Sequence, residues 1–342
     1  MKRLKYSVAL FLCLFLSTPF YGAEIAKYAG EFMSTGVGAR ALGMGGAYVA
    51  TGGDVTYGYW NPAGLAQLDF PEIAAMHSER FAGVVNYDYV GIATPFRATE
   101  SLGLSAIRLG VDDIPYTAVP RPDLVQDTTF TDAEGNIRVN RPYVDRYVSD
   151  AEYAFYFSYA KRHASRFFYG ANVKLVHKGV GDNSAWGIGF DIGAMWNPWR
   201  DLRLGANFQD MTTTLLAWDT GRQELISPTL KTGVSYPFAL PFLQSRLLLA
   251  GDADIRFEGR ETASQFSAGP MSFDVRLGGE ISFYNIIALR VGRDDLGYFT
   301  AGAGISLPRL DVDYAFMQHT ELQETHRISL RIRVEEKRFQ RR

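Results

Sequence analysis

The chain of 342 residues contains one cysteine, and beyond residue 23 it has no run of 18 consecutive apolar residues. A membrane-spanning helix needs about 20 such residues, so we expect no transmembrane helix after residue 23. No Gly-x-Ser-x-Gly motif occurs, and no Ser-His spacing favours a hydrolase. None of the histidines has metal-ligand spacing to cysteine or glutamate. The five are His77, His163, His177, His319 and His326. We therefore predict that the protein is not an enzyme and binds no metal or cofactor.

Residues 1–23 have the features of a signal peptide. Lys2, Arg3 and Lys5 form a positive start, and residues 8–16 form an apolar stretch too short to span a bilayer. Cleavage after Ala23 would remove Cys13, and with it any disulfide or thiolate chemistry. The remaining chain would carry 32 basic and 37 acidic side chains, a balance that gives no reason to expect a nucleic-acid partner. An uncleaved N-terminal anchor is the alternative.

From residue 71 onward, apolar and polar residues alternate with a period of two. This pattern puts one set of side chains on each face of a strand. It predicts about fourteen strands of roughly ten residues, the length that a tilted membrane strand needs. The predicted strands are 71–81, 85–96, 100–114, 151–163, 166–180, 184–198, 201–212, 226–239, 245–258, 271–284, 286–293, 298–307, 310–318 and 326–335. In the third, the apolar parity changes after Ala106, which suggests a bulge in the wall.

The connections and the composition favour a membrane barrel over a soluble sandwich. Short turns are predicted at 97–100, 163–166, 197–201, 284–286 and 308–310, and longer polar loops at 115–150, 212–225, 259–270 and 318–325. Short turns on one side and long loops on the other are typical of outer-membrane barrels. A content of 14% aromatic and only 21% charged residues favours lipid contact. We therefore predict an all-β fold, a transmembrane antiparallel β-barrel occupying residues 71–342.

Residues 24–70 form a different region, rich in glycine. Seven glycines occur between residues 36 and 53, which suits a compact, tightly turning segment better than a long helix or strand. The Gly-x-Gly-x-x-Ala pattern starting at Gly36 imitates a nucleotide-binding motif, but no strand precedes it and no long helix follows. Asn61 and Pro62 predict a short helical turn with asparagine as its cap. We predict that this region is a plug inside the barrel.

The sequence motif GVGARALGMGGAYVA…YWNPAGLA, which covers about a tenth of the chain, resembles that of the FadL-like outer-membrane proteins. It is most similar to their PorV/PorQ branch. The resemblance assigns the motif to the plug. The motif residues are Gly36, Gly38, Arg40, Gly43, Gly45, Gly46, Asn61 and Pro62. Beside them, Tyr59 and Trp60 are candidate ligand contacts, with packing inside the plug as the alternative.

Eleven charged residues share the predicted inward face of strands 9, 10, 13 and 14. They are Asp252, Asp254, Arg256, Asp274, Arg276, Glu280, Asp311, Asp313, Arg327, Arg331 and Arg333. Mixed signs at membrane depth imply pairing or water. They could line a substrate path, but we favour an ion-pair lattice that holds the plug and stiffens the wall. Arg40, the only charge between Glu31 and Asp54, needs a carboxylate partner such as Asp252, Asp254 or Glu280.

The resemblance implies a protein of the outer membrane of a Gram-negative (diderm) bacterium, in contact with outer-membrane lipids. FadL-like proteins bind hydrophobic or amphipathic molecules and release them through a plug rearrangement, so passive transport is the first hypothesis. PorV-like proteins work with the type IX secretion machinery, so docking of secreted cargo or secretion-system proteins is the second. The polar residues 128–147 suit a surface loop of that kind. A structural barrel without cargo is the third hypothesis.

Overall fold

The computed structural model describes residues 23–25, 29–81, 83–241, 244–257, 264–319, 324–336 and 339–341. Residues 1–22, which include Cys13 and almost all of the predicted signal peptide, lie outside the described residues. In the part of the chain that is described, no helix is long and apolar enough to cross a membrane.

Fourteen antiparallel strands form a closed barrel. We number them β1 (Glu72–Arg80), β2 (Val85–Pro95), β3 (Glu100–Ala118), β4 (Tyr143–Ala164), β5 (Phe167–Val180), β6 (Asn183–Trp196), β7 (Arg203–Gln209), β8 (Thr229–Leu240), β9 (Ser245–Arg256), β10 (Met271–Phe283), β11 (Ile287–Arg293), β12 (Phe299–Ser306), β13 (Leu310–Gln318) and β14 (Glu324–Arg333). Each pairs with its neighbour in sequence, and β14 closes the barrel by pairing with β1, Ile73 opposite Ile332. The predicted strand count is confirmed.

Outward and inward side chains alternate along the strands as the sequence predicted. On β4, Phe155 and Phe157 point outward and are exposed, whereas Tyr156 between them is 1% exposed and faces the lumen. On β9, the exposed Leu249 side chain likewise points outward, and the buried Asp252 side chain points into the lumen. A water-soluble protein rarely exposes such large contiguous apolar surfaces, so the outer face is the one that contacts lipid.

The two ends of the barrel differ in their connections. At the end we call the turn end, the connections are 96–99, 165–166, 197–202, 241–244, 284–286 and 307–309. The other end, the loop end, carries the longest ones, 119–142, 210–228 and 257–270. The predicted loop 115–150 is too long, because β3 and β4 continue pairing beyond the barrel rim as far as Ala118 opposite Tyr143. The rest of the predicted loop contains a small hairpin, Thr129–Thr131 with Ile137–Val139.

The seventh strand is shorter than predicted. β7 ends at Gln209, and the chain kinks at Asp210 and Thr213, which both have positive φ. The following hairpin, Thr214–Trp218 with Gln223–Ile226, falls where the sequence analysis assigned a loop, and its first strand pairs with β6. The strand Ala23–Ile25 adds to Gln223–Ile226 in parallel, so the N-terminal strand lies at the loop end and not at the end where β1 begins.

The parity change in β3 has a different cause from the predicted bulge. Pairing with β4 is regular from Glu100 to Val111, and the register shifts only beyond it, between Val111 and Ile114 and again between Tyr116 and Thr117. Leu104 points outward, whereas Ile107 is 1% exposed and faces the lumen. Apolar residues therefore change faces because Ile107 packs against buried residues of the lumen, not because the wall bulges at that point.

The N-terminal segment fills the lumen. Residues 29–71, which we call the plug, run from the loop end to the start of β1 at the turn end and contain three short helices, α1 (Glu31–Ser34), α2 (Ala39–Gly43) and α3 (Tyr57–Trp60). A 3₁₀ helix, Pro62–Gln67, follows. Almost every plug residue from 37 to 68 is buried. The main apolar core is thus formed between plug and wall.

Candidate functional site: a plugged lumen with a cavity at each end

The glycines of the motif shape the plug backbone. Helix α2 ends in a Schellman motif, in which the Gly45 amide bonds to the Leu42 carbonyl at 2.9 Å and the Gly46 amide to the Ala41 carbonyl at 2.9 Å. Gly45 has φ +65°, a conformation that disfavours any side chain. The motif ends the helix after a single turn and directs the chain across the lumen.

Asn61 forms the predicted cap and also joins three segments. Its Oδ1 accepts a hydrogen bond from the Ala63 amide at 3.2 Å, and Pro62 occupies the first position of the 3₁₀ helix, which confirms the predicted turn. Its Nδ2 donates to the carbonyls of Val49 at 3.2 Å and Ala194 at 3.1 Å. Asn61 is fully buried, so one side chain ties two parts of the plug to β6.

Glycines on the inner face of the wall allow the plug backbone to approach the wall closely. This feature was not predicted from the sequence. A Cβ added to Gly205 would lie 2.5 Å from the Val49 carbonyl oxygen, and one added to Gly170 would lie 2.6 Å from the Pro62 carbonyl carbon. Gly278 faces Met44 in the same way. The signal in the sequence is a glycine at an inward position of a strand, where it marks a close backbone approach.

Polar wall side chains bind the irregular plug backbone. Asp252 Oδ2 accepts hydrogen bonds from the amides of Tyr48 and Val49 at 2.6 and 2.8 Å. Asn207 donates to the Trp60 carbonyl at 3.0 Å, and Asn172 to the Gly58 carbonyl at 2.8 Å. Because buried backbone groups must be paired, a polar lining of this kind is needed to hold a plug that is mostly without regular structure.

The charged residues predicted as one lattice form separate clusters. In one cluster, Arg276 contacts Asp254 at 2.6 Å and Asp295 at 2.9 Å. In another, Arg331 contacts Asp311 at 2.6 Å, Glu72 at 3.6 Å and Asp54 of the plug at 3.7 Å. The remaining members have other partners: Arg256 lies 3.8 Å from Glu31, Arg333 lies 3.9 Å from Asp311, Asp313 contacts Arg290, and Asp274 accepts from the Gln265 amide.

Arg40 pairs with the wall through Glu280, one of its three expected partners. Glu280 also accepts a hydrogen bond from Arg290 at 2.6 Å, and Arg290 in turn contacts Asp313 at 2.7 Å. A further buried cluster was missed, in which Lys174 lies 2.9 Å from Asp191 and 2.7 Å from Asp210. The inward parity of Lys174 on β5 was visible in the sequence, but its partners on β6 and beyond β7 depend on strand register.

Tyr59 and Trp60 differ in their surroundings. Both are buried, with ring centroids 5.0 Å apart and perpendicular ring planes. The Trp60 indole donates to the Val37 carbonyl at 3.0 Å, and the Tyr59 hydroxyl donates to the Met33 carbonyl. Trp60 lines a cavity of ≈ 400 Å³, whereas Tyr59 lines only a small one of ≈ 70 Å³ beside Lys174.

The larger cavity, which we call the loop-end cavity, lies above the plug at the loop end. Its apolar lining consists of Phe32, Leu42, Trp60, Leu109, Leu296 and Met317. Its polar lining includes Arg80, Arg256, Arg276, Arg327, Glu152, Asp294, Asp295 and His319. Burial and the neighbouring Asp295 raise the pKa of Asp294 to about 6, and burial and Arg80 lower the pKa of His319.

A second cavity of ≈ 310 Å³ lies at the turn end. It is lined by Arg40, Arg203, Arg246, Glu280, Arg290, Asp311, Asp313 and Arg331, with Thr51 and Gly52 of the plug. Arg203 donates to the Thr51 carbonyl. The plug therefore separates two cavities of different character, one partly apolar and one dominated by arginine. In the described ranges, no group of three or more His, Cys, Asp or Glu side chains is arranged to hold a metal ion.

Comparison with solved structures shows that the fold is similar to that of FadL-like barrels. The Ralstonia pickettii toluene transporter TbuX superimposes with a TM-score of 0.57 at 14% identity, covering 87% of this chain and 98% of that one. The Pseudomonas putida toluene transporter TodX gives a TM-score of 0.56 at 13% identity, covering 86% and 96%. A Pseudomonas aeruginosa FadL homologue gives 0.54 at 12%, covering 86% and 97%. At these identities the likeness is one of fold.

No protein-family model matches the sequence, and no curated protein matches it. Support for the predicted FadL-like fold comes from the structural neighbours. The finer resemblance to the PorV/PorQ branch has no support from these comparisons and stays a prediction.

Proposed function

We propose that the protein is an outer-membrane barrel of a diderm bacterium that binds hydrophobic or amphipathic small molecules and passes them through its plugged lumen without catalysis. The loop-end cavity carries this proposal. It is a partly apolar space of ≈ 400 Å³ lined by residues of both the barrel wall and the plug, and Trp60 of the plug forms part of this lining. Ligand sites are typically clefts of this size with apolar walls and a few polar groups.

The structural neighbours support the same proposal. Two of them are toluene transporters, so a barrel of similar fold serves a small apolar molecule elsewhere. Movement of a ligand past the plug requires the plug to rearrange, because the segment from residue 37 to residue 68 is packed against the wall on all sides. We infer that the ligand first occupies the loop-end cavity and then the turn-end cavity.

The docking of secreted cargo rests on the PorV/PorQ resemblance. No observation in the structure favours cargo docking over transport, although the β3–β4 extension and the residues between its strands are mostly exposed. The signal peptide, the outer-membrane location and contact with outer-membrane lipids are part of the proposal, and secretion partners stay a hypothesis.

A cavity-filling variant tests the transport proposal. Leu109→Trp places a larger side chain in the loop-end cavity, and Leu104→Trp places the same side chain on the lipid face of the same strand. We expect cells with an intact outer membrane to take up radiolabelled toluene faster when they express the protein. Leu109→Trp should abolish that increase, and Leu104→Trp should not. Equal uptake with and without the protein would contradict the proposal.

A further inference from the structure

The turn-end cavity carries an excess of positive charge. Its charged lining consists of five arginines and three carboxylates, so that two positive charges remain. The loop-end cavity has four arginines and four carboxylates in its lining, so that its formal charge is zero. A cleft that is lined by an excess of one charge and has low-dielectric walls concentrates ions of the opposite sign. The turn-end cavity is therefore the part of the lumen that attracts anions.

Six of the eight charged side chains in this lining neutralise one another. They form ion pairs of 2.6 or 2.7 Å, in which Arg40 contacts Glu280, Arg290 contacts Glu280 and Asp313, and Arg331 contacts Asp311. Arg203, on β7, and Arg246, on β9, are the two that remain. The excess charge of the cavity thus belongs to this pair of arginines.

Neither arginine of this pair has an acidic partner among the described residues. Arg203 donates to the Thr51 carbonyl, a neutral acceptor, and the charge of Arg246 repels it. Asp201 is exposed in the turn before β7 and forms no ion pair with Arg203 within the described ranges. The Arg246 side chain has no hydrogen bond or ion pair with any residue that the structure describes. Because like charges repel, an anion between the two arginines would be stabilised by both.

Both side chains face the lumen and not the surrounding lipid. Arg203 lies two residues before Gly205, which faces Val49 of the plug. Arg246 lies two residues before Leu248, which is 7% exposed inside the barrel. Side chains two residues apart on a strand share a face. Since bilayer lipid contacts only the outer face, the ligand that this pair suits is water-soluble and enters from the turn end.

The plug forms one side of the same cavity. Thr51 and Gly52 line it together with Arg40, and a Cβ added to Gly52 would lie 3.4 Å from Nη1 of Arg203. The cavity is therefore complete only while the plug is in place between the strands. A ligand that binds one of two states stabilises that state by mass action, so a ligand of this cavity would favour the plugged barrel.

We propose that the turn-end cavity binds a small, water-soluble polyanion of the phosphate type, held by Arg203 and Arg246, and that the bound anion fastens the plug. The guanidinium fork matches the oxygens of a phosphate group, and two arginines suit a ligand with at least two negative charges. The cavity of ≈ 310 Å³ is large enough for such a molecule. Because the short turns of outer-membrane barrels face the periplasm, the anion is a periplasmic regulator of the plug. This inference goes beyond the proposed transport and rests on it only for the orientation in the membrane.

Pyrophosphate is the probe for this site, because it is small and soluble and carries several negative charges. With the full-length protein in nanodiscs of zwitterionic lipid and a buffer free of divalent cations, isothermal titration should show saturable pyrophosphate binding. Arg203→Gln and Arg246→Gln should each weaken it at least about tenfold. Arg246→Lys keeps the charge and should weaken it less than Arg246→Gln. Arg166→Gln is the matched control, since Arg166 is exposed in the turn before β5 and outside the cavity lining, and it should leave binding unchanged.

Heat unfolding tests the link between the bound anion and the plug. Rising pyrophosphate concentration should raise the melting temperature of the wild type and of Arg166→Gln, and should not raise that of Arg246→Gln. Without the probe, Arg246→Gln should melt at the wild-type temperature, because its side chain makes no contact whose loss would destabilise the fold. A probe-free melting temperature well below that of the wild type would show that Arg246 has a structural role, and would overturn its assignment to the site.

The remaining outcomes separate this site from the proposed transport. Absence of pyrophosphate binding, or binding that both glutamine variants retain, would overturn the site. Binding without a rise in melting temperature would overturn its role in fastening the plug. Either result would leave hydrophobic transport standing, because toluene uptake by the wild type and by Leu109→Trp tests that proposal separately. Pyrophosphate binding that depends on the two arginines, in a protein that does not increase toluene uptake, would support the site and overturn the transport.

Discussion

Arg40 of the plug and Glu280 of β10 are joined by two hydrogen bonds, 2.8 Å from Nε to Oε2 and 2.7 Å from Nη2 to Oε1. This two-point contact links the plug motif to the wall and continues through Arg290 to Asp313. Glu280→Gln would leave Arg40 and part of Arg290 uncompensated. We expect it to cost about 3 kcal/mol, the lower end for a broken buried pair, since the Arg40 side chain is 25% exposed.

The measurement is the temperature at which half of the barrel is unfolded, read from the change in gel migration after heating to a series of temperatures. Asp182→Asn, which breaks the exposed pair with Arg146, is the control and should cost less than about 1 kcal/mol. Equal effects of the two substitutions would show that the plug–wall pair does not fasten the plug.

Two adjacent glycines of β10 provide a sharp test of how closely plug and wall approach. A Cβ at Gly278 would overlap the Met44 carbonyl group, whereas a Cβ at Gly279 would lie 3.6 Å from the nearest side-chain atom, an ordinary contact. Gly278→Ala should therefore destabilise the plugged barrel by about 1–3 kcal/mol and Gly279→Ala should not. Protease sensitivity of the plug, measured on the folded protein, should rise only in the first variant. Identical behaviour would mean that the plug adjusts without loss.

The lipid face can be tested at Leu249, whose side chain is 46% exposed on the outside of β9. Leu249→Arg should cost ~2–4 kcal/mol or block assembly, since a charge would face hydrocarbon. Val125, 77% exposed in the connection between β3 and β4, is exposed to a similar or greater degree but lies beyond the barrel rim. Val125→Arg should leave folding yield in lipid vesicles unchanged. A harmless Leu249→Arg would place that face outside the membrane.

The sequence predicted the wall well because alternation and aromatic content are local signals. It predicted the interior less well, because plug packing depends on contacts between residues far apart in the chain. Asn172 shows the limit. Alternation along the predicted strand 166–180 gives Asn172 an inward direction, which would suggest a water-filled position tolerant of charge. Asn172 is instead 1% exposed and bonded to Gly58 of the plug and Asp191 of the wall.

Arg40 and the hairpin after β7 are two further features that the sequence predicted only in part or not at all. The need of Arg40 for a carboxylate followed from its burial in a plug, but the choice of Glu280 over Asp252 depends on the path of the plug. The hairpin Thr214–Trp218 with Gln223–Ile226 was missed because its strands are too short to show alternation.

The pH dependence of stability should include a contribution from Asp294. Its pKa of about 6 lies above the ordinary value of about 3.9, because burial and Asp295 disfavour the charged form. The folded state therefore binds this proton more tightly than the unfolded state. The stabilisation is fully present below about pH 4 and is lost as pH rises to about 6.

Asp294→Asn keeps an oxygen that can accept from the amides of Leu296 and Tyr298 and removes the charge. The variant should melt at a higher temperature than the wild type at pH 7.5, and the difference should shrink at pH 4. Asp123→Asn is the control, since Arg121 lowers the pKa of Asp123, and it should not raise the melting temperature at pH 7.5. A wild-type advantage at pH 7.5 would contradict the assignment.

Removal of the plug should open the lumen. The segment from residue 37 to residue 68 is almost entirely buried between the strands, and it is fastened by backbone contacts at Gly170, Gly205 and Gly278 and by the Arg40–Glu280 pair. Deletion of residues 30–66 should therefore raise single-channel conductance in planar bilayers well above that of the intact protein. Replacement of residues 121–140 by a short glycine-serine linker changes a loop-end connection and leaves the lumen filled, so it should not raise conductance. If the plug deletion assembles as a barrel and its conductance equals that of the intact protein, the plug is not what closes the lumen, and the proposed path between the two cavities fails with it.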